Sequence, residues 1–250
     1  MASLIGSKVE RKEDKKFLTG KGKYTSDINL VHQTYAYFVR SPHARAKIKK
    51  VDISKALKAT GVVNIFTGDD IAKEKIGGLI AGWKIVSQDG KDMKVPNHPP
   101  LAKDVVNYVG DHVAVVIAET LENAKNAADL VNVSYDIKKA IVNTSDAMKS
   151  ETIHDGIEKN LCFDFILGDK GKTEEAFSGA DKIVKLDLRN NRLIPNAMEP
   201  RACIGDYNPS SDELVLYTTS QNPHLSRLVL SAFGGIHPEH KFRVVAPDVG

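Results

Sequence analysis

The chain has 250 residues, 42% hydrophobic and 27% charged, which is enough for one large or two ordinary domains with cores of their own. Its net charge of +3 is too small a bias to indicate nucleic acid, and the one dense basic run, Lys47-Ile48-Lys49-Lys50, is too short for a polyanion patch. Nothing approaches the ~18 consecutive apolar residues of a membrane span, and Met1-Ala2-Ser3-Leu4-Ile5-Gly6 carries no signal-peptide core. Cys162 and Cys203 belong to no CxxC or Cys/His metal spacing, so no metal ligand set is expected, and a reducing, cytoplasmic setting is.

Residues 1–16 form a charged arm, expected to be exposed and of low order. Two glycines two apart, Gly20 and Gly22, mark a turn rather than a helix in residues 17–24. A strand rich in aromatic and β-branched residues follows over 34–40, stopped by Ser41-Pro42-His43, and a second covers 46–52. Ser54 stands where an N-cap would, before a short helix over 55–59 that ends at Gly61. Residues 61–68 read as a strand. Residues 77–100, with three prolines, read as a long surface excursion of the kind that binds partners.

A βαβ-like pattern comes next. Residues 113–118 are a buried-strand run, Thr120 is placed to cap a helix over 121–130, and 131–135 alternate like a half-buried strand. A polar boundary follows over 140–160. Beyond it, Gly168-Asp169-Lys170-Gly171 reads as a turn, 172–177 as a short helix and 182–188 as a strand. Residues 202–207 and 214–219 read as a hairpin around Asn208-Pro209-Ser210-Ser211-Asp212. Asn222 and Pro223 suit an N-cap and first helical position, for a helix over 225–233 ended by Gly234-Gly235; 242–245 is a last strand. The residues themselves therefore indicate two domains of mixed helix and sheet.

Several strings, in order, add a family. Arg11-Lys12-Glu13-Asp14, Phe17-Leu18-Thr19-Gly20-Lys21-Gly22-Lys23-Tyr24 and Asp27 resemble the opening of the molybdenum hydroxylase large subunits, the family of aerobic carbon monoxide dehydrogenase, aldehyde oxidase and xanthine dehydrogenase. Arg40-Ser41-Pro42-His43-Ala44-Arg45-Ala46 resembles the next segment, although histidine is commoner where Arg45 stands. Tyr108-Val109-Gly110-Asp111-His112-Val113 resembles a family strand that usually has Glu-Pro in place of Asp111-His112. Met198-Glu199-Pro200-Arg201, Thr219-Ser220-Gln221-Asn222-Pro223-His224 and Val244-Val245-Ala246-Pro247-Asp248-Val249-Gly250 resemble the entry and first cofactor-facing segments of the molybdopterin region. In style they are nearest the carbon monoxide dehydrogenase branch.

The resemblance implies an α+β fold: an α/β hammerhead domain over 17–145, then the beginning of a molybdopterin-binding α/β domain over 146–250. It implies molybdenum held by molybdopterin (its cytosine dinucleotide in bacteria), with iron–sulfur clusters on a small partner subunit and FAD on a medium one, since this chain has neither a cysteine framework nor a Gly-rich nucleotide fingerprint. The other partners implied are the remaining C-terminal part of the large subunit and a small substrate, carbon monoxide or an aldehyde, purine or N-heterocycle, oxidised with oxygen from water; nucleic acid is not among them.

Two cofactor-binding residues follow from the same motifs. Gln221 matches the glutamine near the molybdenum oxo group, a place suited to an amide because it donates without titrating, and it is expected between a strand end and a helix start where N–H groups converge. Gly250 matches the first glycine of a Gly-rich cofactor loop, where a residue without Cβ lets the backbone approach. No residue takes the catalytic base role. Glu199 reads as a backbone anchor, the histidines as surface or capping groups, Asp111-His112 as no triad, and the cysteines as small buried residues. The end at Gly250 reads as a truncation, a split gene or a deliberate cut, which leaves the alternative of a non-catalytic fragment acting in assembly or inactive. Apolar edge surface is expected on Val244 and Val245.

Overall fold

Residues 5–250 are described in a computed structural model; residues 1–4 of the expected arm lie outside the described residues. Packing divides the chain into two compact units, one of residues 1–33 with 196–250, the other of 34–195. Spatial grouping therefore follows neither the 1–16, 17–145 and 146–250 segments nor any single cut in the sequence. Residues 17–33 pack with the last 55, and residues 146–195 group with those before them.

The first unit begins with helix α1 (Asp14–Leu18), inside the segment read as an arm and turn, and a 3-10 turn at Thr25–Asp27. The turn's Asp27 carboxylate accepts from the Tyr24 N–H at 2.9 Å.

The larger unit contains strands β1 (Tyr35–Arg40), β2 (Ala46–Asp52) and β3 (Val62–Thr67), helix α2 (Gly68–Lys73), strands β4 (Val105–Val106) and β5 (His112–Ala118), helix α3 (Leu121–Ala128) and strand β6 (Asn132–Ile137). They form two three-stranded antiparallel sheets, ordered β1-β5-β3 and β4-β2-β6. Central β5 explains its own continuous apolar sequence. Ala114, Val116 and Ala118 pack with Ala124, Ala127 and Ala128 of α3, while Val113 points the opposite way into a cluster with Ala46, Ala102 and Val106. Alternate residues of a strand face opposite sides, so covering both sides needs apolar residues throughout. The alanines recur at i, i+3 and i+4 of α3 and let it lie close against the sheet.

Three expectations here are corrected. The β5–α3–β6 succession is no βαβ unit, because β6 leaves β5's sheet and pairs antiparallel with β2; only its half-buried Val133 and Tyr135 have a core to face. Ser54 caps no helix. Its N–H and hydroxyl both donate to Asp52, at 3.1 and 2.6 Å, and only a 3-10 turn at Ala56–Lys58 follows. Helix α2 was not expected, although Thr67-Gly68-Asp69-Asp70 carries its signal: the Asp70 carboxylate accepts from the Thr67 N–H and hydroxyl at 2.7 and 2.8 Å, a capping box. Thr120 caps α3 as read, accepting from the Asn123 N–H at 3.1 Å.

Residues 74–104 are irregular apart from one isolated bridge, Val86 to Asp92. After helix α4 (Thr144–Ala147) the chain is mostly extended coil, broken by a 3-10 turn at Glu158–Asn160 and helix α5 (Lys170–Ser178). The expected turn at 168–171 is the start of α5, capped by Asp169, which accepts from the Lys172 N–H at 3.0 Å. Residues 182–188 are not a strand here; they have no ladder among the described residues.

In the smaller unit, β7 (Cys203–Asn208) and β8 (Glu213–Thr218) form the expected hairpin, and β9 (Phe242–Val245) joins β8 in parallel. Between β8 and β9 run helix α6 (Pro223–Leu228) and a π turn at Val229–Phe233. Val244 and Val245 lie on the sheet's outer strand, half-buried rather than bare. Cys203 is exposed and Cys162 half-exposed, so neither is the buried small residue expected.

Candidate functional site

A cavity of about 600 Å³ opens in the smaller unit where β8 runs out and α6 begins. Its wall includes Glu199, Arg201, Ser220, Gln221, Asn222 and Gly250, so the two residues singled out from the sequence share one cavity. The connection from β8 to α6 is short and rigidly bonded. Asn222 accepts from the Leu225 N–H at 3.1 Å, and Pro223, with its fixed φ and no N–H to satisfy, opens the helix. The Asn222 N–H donates to Ser220 Oγ at 3.0 Å, and Ser226 Oγ donates to the Asn222 carbonyl at 3.0 Å.

This arrangement corrects one part of the expectation for Gln221. Helix α6 has six residues, and its Leu225 N–H is already taken by Asn222. The polar character of the wall therefore comes from side chains rather than from a convergence of free helix N–H groups. Gln221 itself is exposed, and its side-chain amide has no partner among the described residues. Two donors and one acceptor are left for whatever enters the cavity. The Arg201 guanidinium, also on the wall, has no ion pair among the described residues.

Two carboxylates hold the segment that brings Gly250 to the wall. Glu199 Oε2 accepts from the Gly250 N–H and its Oε1 accepts from Thr219 Oγ1 at 3.3 Å, so this side chain anchors backbone and hydroxyl at the cavity wall. A Cβ on Gly250 would lie 2.5 Å from the Glu199 Cβ, which leaves glycine as the residue that fits. From the other side Asp248 takes the Lys16 ammonium and, at 2.7 Å, the Lys23 N–H, while its own N–H donates to the Lys23 carbonyl at 3.0 Å. The Lys16 hydrogen bond, then the Lys23 N–H, hold the Asp248 carboxyl below the usual aspartate range. Nothing local announced this tie, whose partners lie 225 and 232 positions apart.

The remaining candidates are structural. Asp111 accepts from the Asn107 N–H at 3.2 Å, and His112 stacks on Phe38 with ring centres 4.5 Å apart; no nucleophile joins them. Burial, then Arg40, lowers the His112 pKa. His237 Nε2 lies 2.9 Å from the Asp212 carbonyl, a contact with the β7–β8 turn. Among the described residues no three His, Cys, Asp or Glu side chains gather as a metal site, and no helix is long and apolar enough to cross a membrane.

Residues 19–139 match the aldehyde oxidase and xanthine dehydrogenase a/b hammerhead domain, and residues 153–250 match the molybdopterin cofactor-binding domain. The chain belongs to the molybdenum hydroxylase large-subunit family. Within that family it is 34% identical over 248 residues to the nicotine 6-hydroxylase large subunit of Paenarthrobacter nicotinovorans, covering 99% of this chain and 30% of the relative. It is 32% identical to the carbon monoxide dehydrogenase large chain of Afipia carboxidovorans, covering 98% of this chain and 31% of that one. Among solved structures, quinoline 2-oxidoreductase from Pseudomonas putida 86 superposes with a TM-score of 0.85 at 30% identity, over 98% of this chain and 30% of that chain. The molybdenum hydroxylase fold thus accounts for nearly the whole chain, which spans about 30% of the length of these relatives. The hammerhead match falls on the two antiparallel sheets, and the cofactor-domain match includes the cavity.

Proposed function

We propose that this chain supplies one wall of the cofactor site in a molybdenum hydroxylase large subunit, with Gln221 and Gly250 as its cofactor-binding residues. The observation that carries this reading is the cavity that both line, with the Gln221 amide unpaired beside it. The donor set fits an oxygen- and nitrogen-rich, anionic ligand: a neutral amide, an unpaired guanidinium at Arg201, hydroxyls at Ser220 and Thr219, and a glycine where no Cβ fits. When bound, molybdopterin (as its cytosine dinucleotide) with molybdenum supplies the two-electron oxidation of substrate with oxygen from water.

The chain's own residues bind and orient. The Gln221 amide donates toward an oxygen without changing charge with pH, and Gly250 lets main chain come close. Glu199 and Asp248 hold Gly250 in place, and Asn222 fixes the start of α6. The base and the substrate-contacting groups belong to the rest of the subunit. The substrate class is a small molecule such as carbon monoxide, an aldehyde or an N-heterocycle, in keeping with relatives named for nicotine, carbon monoxide and quinoline. The chain's partners would be an iron–sulfur small subunit and an FAD-bearing medium subunit, which would supply the electron acceptors, in the cytoplasm.

The test is cofactor retention. The chain is purified with its partner chains from a host that makes the cofactor, and molybdenum and released pterin are measured per chain. Gln221→Ala is expected to weaken retention about two- to ten-fold, the usual worth of one hydrogen bond, with the circular dichroism spectrum unchanged. A wild-type complex free of both molybdenum and pterin would overturn the reading and leave a non-catalytic assembly role in its place.

A further inference from the structure

The irregular stretch over 74–104 folds back beside α2 and leaves a second cavity, of about 540 Å³, wholly within the larger unit. That volume suits one small molecule. Ile71, Ile76, Pro96 and Pro99 make much of its apolar wall, and His98, Tyr108 and His154 are among its polar side chains.

The walls are tied together inside this unit. The Leu79 N–H donates to the His98 carbonyl at 2.8 Å, and the Ala102 N–H donates to the His112 carbonyl at 2.7 Å. Gly68 comes so near Ala102 that a Cβ would lie 2.5 Å from the Ala102 carbonyl oxygen. A folded segment carries His154. Its carbonyl accepts from the N–H of buried Ile157 at 3.1 Å, and the Asn160 amide donates to the Ala147 and Glu151 carbonyls at 2.8 and 3.1 Å. The cavity is therefore a built recess and not a bare sheet edge.

Its chemistry favours a neutral occupant. Tyr108 Oη lies 3.4 Å from His98 Nε2, a long contact that leaves both atoms free to bond another group, and the two rings meet edge to face. Burial, then the Asp111 charge, raises the Tyr108 pKa and keeps the phenol protonated. Burial, then Arg45, lowers the His154 pKa and keeps the imidazole uncharged at neutral pH. The full charges around the cavity are engaged elsewhere. Lys103 pairs with Asp69 at 3.2 Å, Asp111 accepts from the Asn107 N–H at 3.2 Å, and Arg45 donates to the Lys139 and Thr152 carbonyls. Asp104 is exposed, where water and salt screen it.

We propose that this cavity binds a small neutral aromatic molecule carrying one hydrogen-bonding group, its ring against Ile71, Ile76, Pro96 and Pro99 and its polar atom at the His98–Tyr108 pair. A rigid ring buries apolar area with little rotor freedom to lose, and it presents an edge or a face to the imidazole and phenol. The site is separate from the Gln221 cavity. Molybdenum and pterin content tests that cavity and does not bear on this one.

The test titrates the full 250-residue chain with three probes of one skeleton: benzyl alcohol, benzylamine (a cation at neutral pH) and benzoate. Carbon-resolved NMR follows the His98, Tyr108 and His154 side chains. Benzyl alcohol is expected to shift all three saturably, with a Kd of roughly a millimolar. The two charged probes should bind at least about three-fold more weakly, because each must bring a charge against a partly buried wall. The double variant His98→Phe, Tyr108→Phe keeps two rings and removes both hydrogen-bonding groups. It should weaken benzyl alcohol about two- to ten-fold, with the β5 resonances unchanged as proof of folding. If the pair does not fold, Tyr108→Phe alone is held to the same expectation. Four results would each overturn the proposal: no saturation up to the solubility limit, a charged probe binding as tightly as benzyl alcohol, shifts confined to the Gln221 cavity, or a folded variant that binds as the parent does.

Discussion

Gly250 lies where it does because two acidic residues hold its segment from either side, Glu199 through the Gly250 N–H and Asp248 through Lys16 and Lys23. The motifs point to Gln221 and Gly250, which line one cavity, because both sit in strings read locally. They carried nothing of the Asp248 clamp, because contacts between residues more than 200 positions apart leave no spacing to recognise. The clamp has a definite sign with pH. A carboxylate whose folded pKa is lowered gives its stabilisation in full above the ordinary aspartate value, about 3.9, and loses it as the pH falls through the lower folded value. The Lys23 amide resonance, followed by NMR, is therefore expected to titrate with a midpoint below that ordinary value. Asp248→Asn should abolish the titration and weaken the tie of α1 to residues 248–250. A midpoint at or above the ordinary value would remove Asp248 from the account.

Element by element, legibility depended on whether a segment's partner was implied by its own residues. The apolar run of β5 shows burial on both faces, and the helix starts at Thr120 and Asn222 show as cap residues; all three form. The pairing of β6 with β2 rather than with β5's sheet does not show, because alternation says which face is apolar and not which neighbour covers it. Residues 182–188 make the same point more sharply, having the pattern of a strand and no ladder. Stability should follow the ladder and not the pattern. Val116 is fully buried at the centre of its sheet against α3, so Val116→Ala removes apolar surface and leaves a cavity, a loss of about 2 kcal/mol in urea unfolding. Val184→Ala, on an uncovered face, should change stability by under about 0.5 kcal/mol. Equal losses from the two substitutions would mean that residues 182–188 are packed in the chain alone.

For the molecule as a whole, the two kinds of segment predict an order of attack. Trypsin needs an extended, unpaired stretch on both sides of a basic residue, so susceptibility follows backbone pairing more than side-chain exposure. The sequence offers a controlled comparison. Lys47, Lys49 and Lys50 are exposed but lie in β2, whose backbone is paired to β6 along its length and to β4 at its start. Lys182, Lys185, Arg189 and Arg192 are equally exposed and lie in a stretch with no ladder and no buried side chain. Mild digestion, read by intact-mass spectrometry, should therefore cut first within 182–192, while β2 survives until the β1–β6 unit unfolds. Cutting of β2 as fast as of 182–192 would show that the two antiparallel sheets are no more stable than the coil beside them, and the division into a self-supporting core and an unpaired segment would fall.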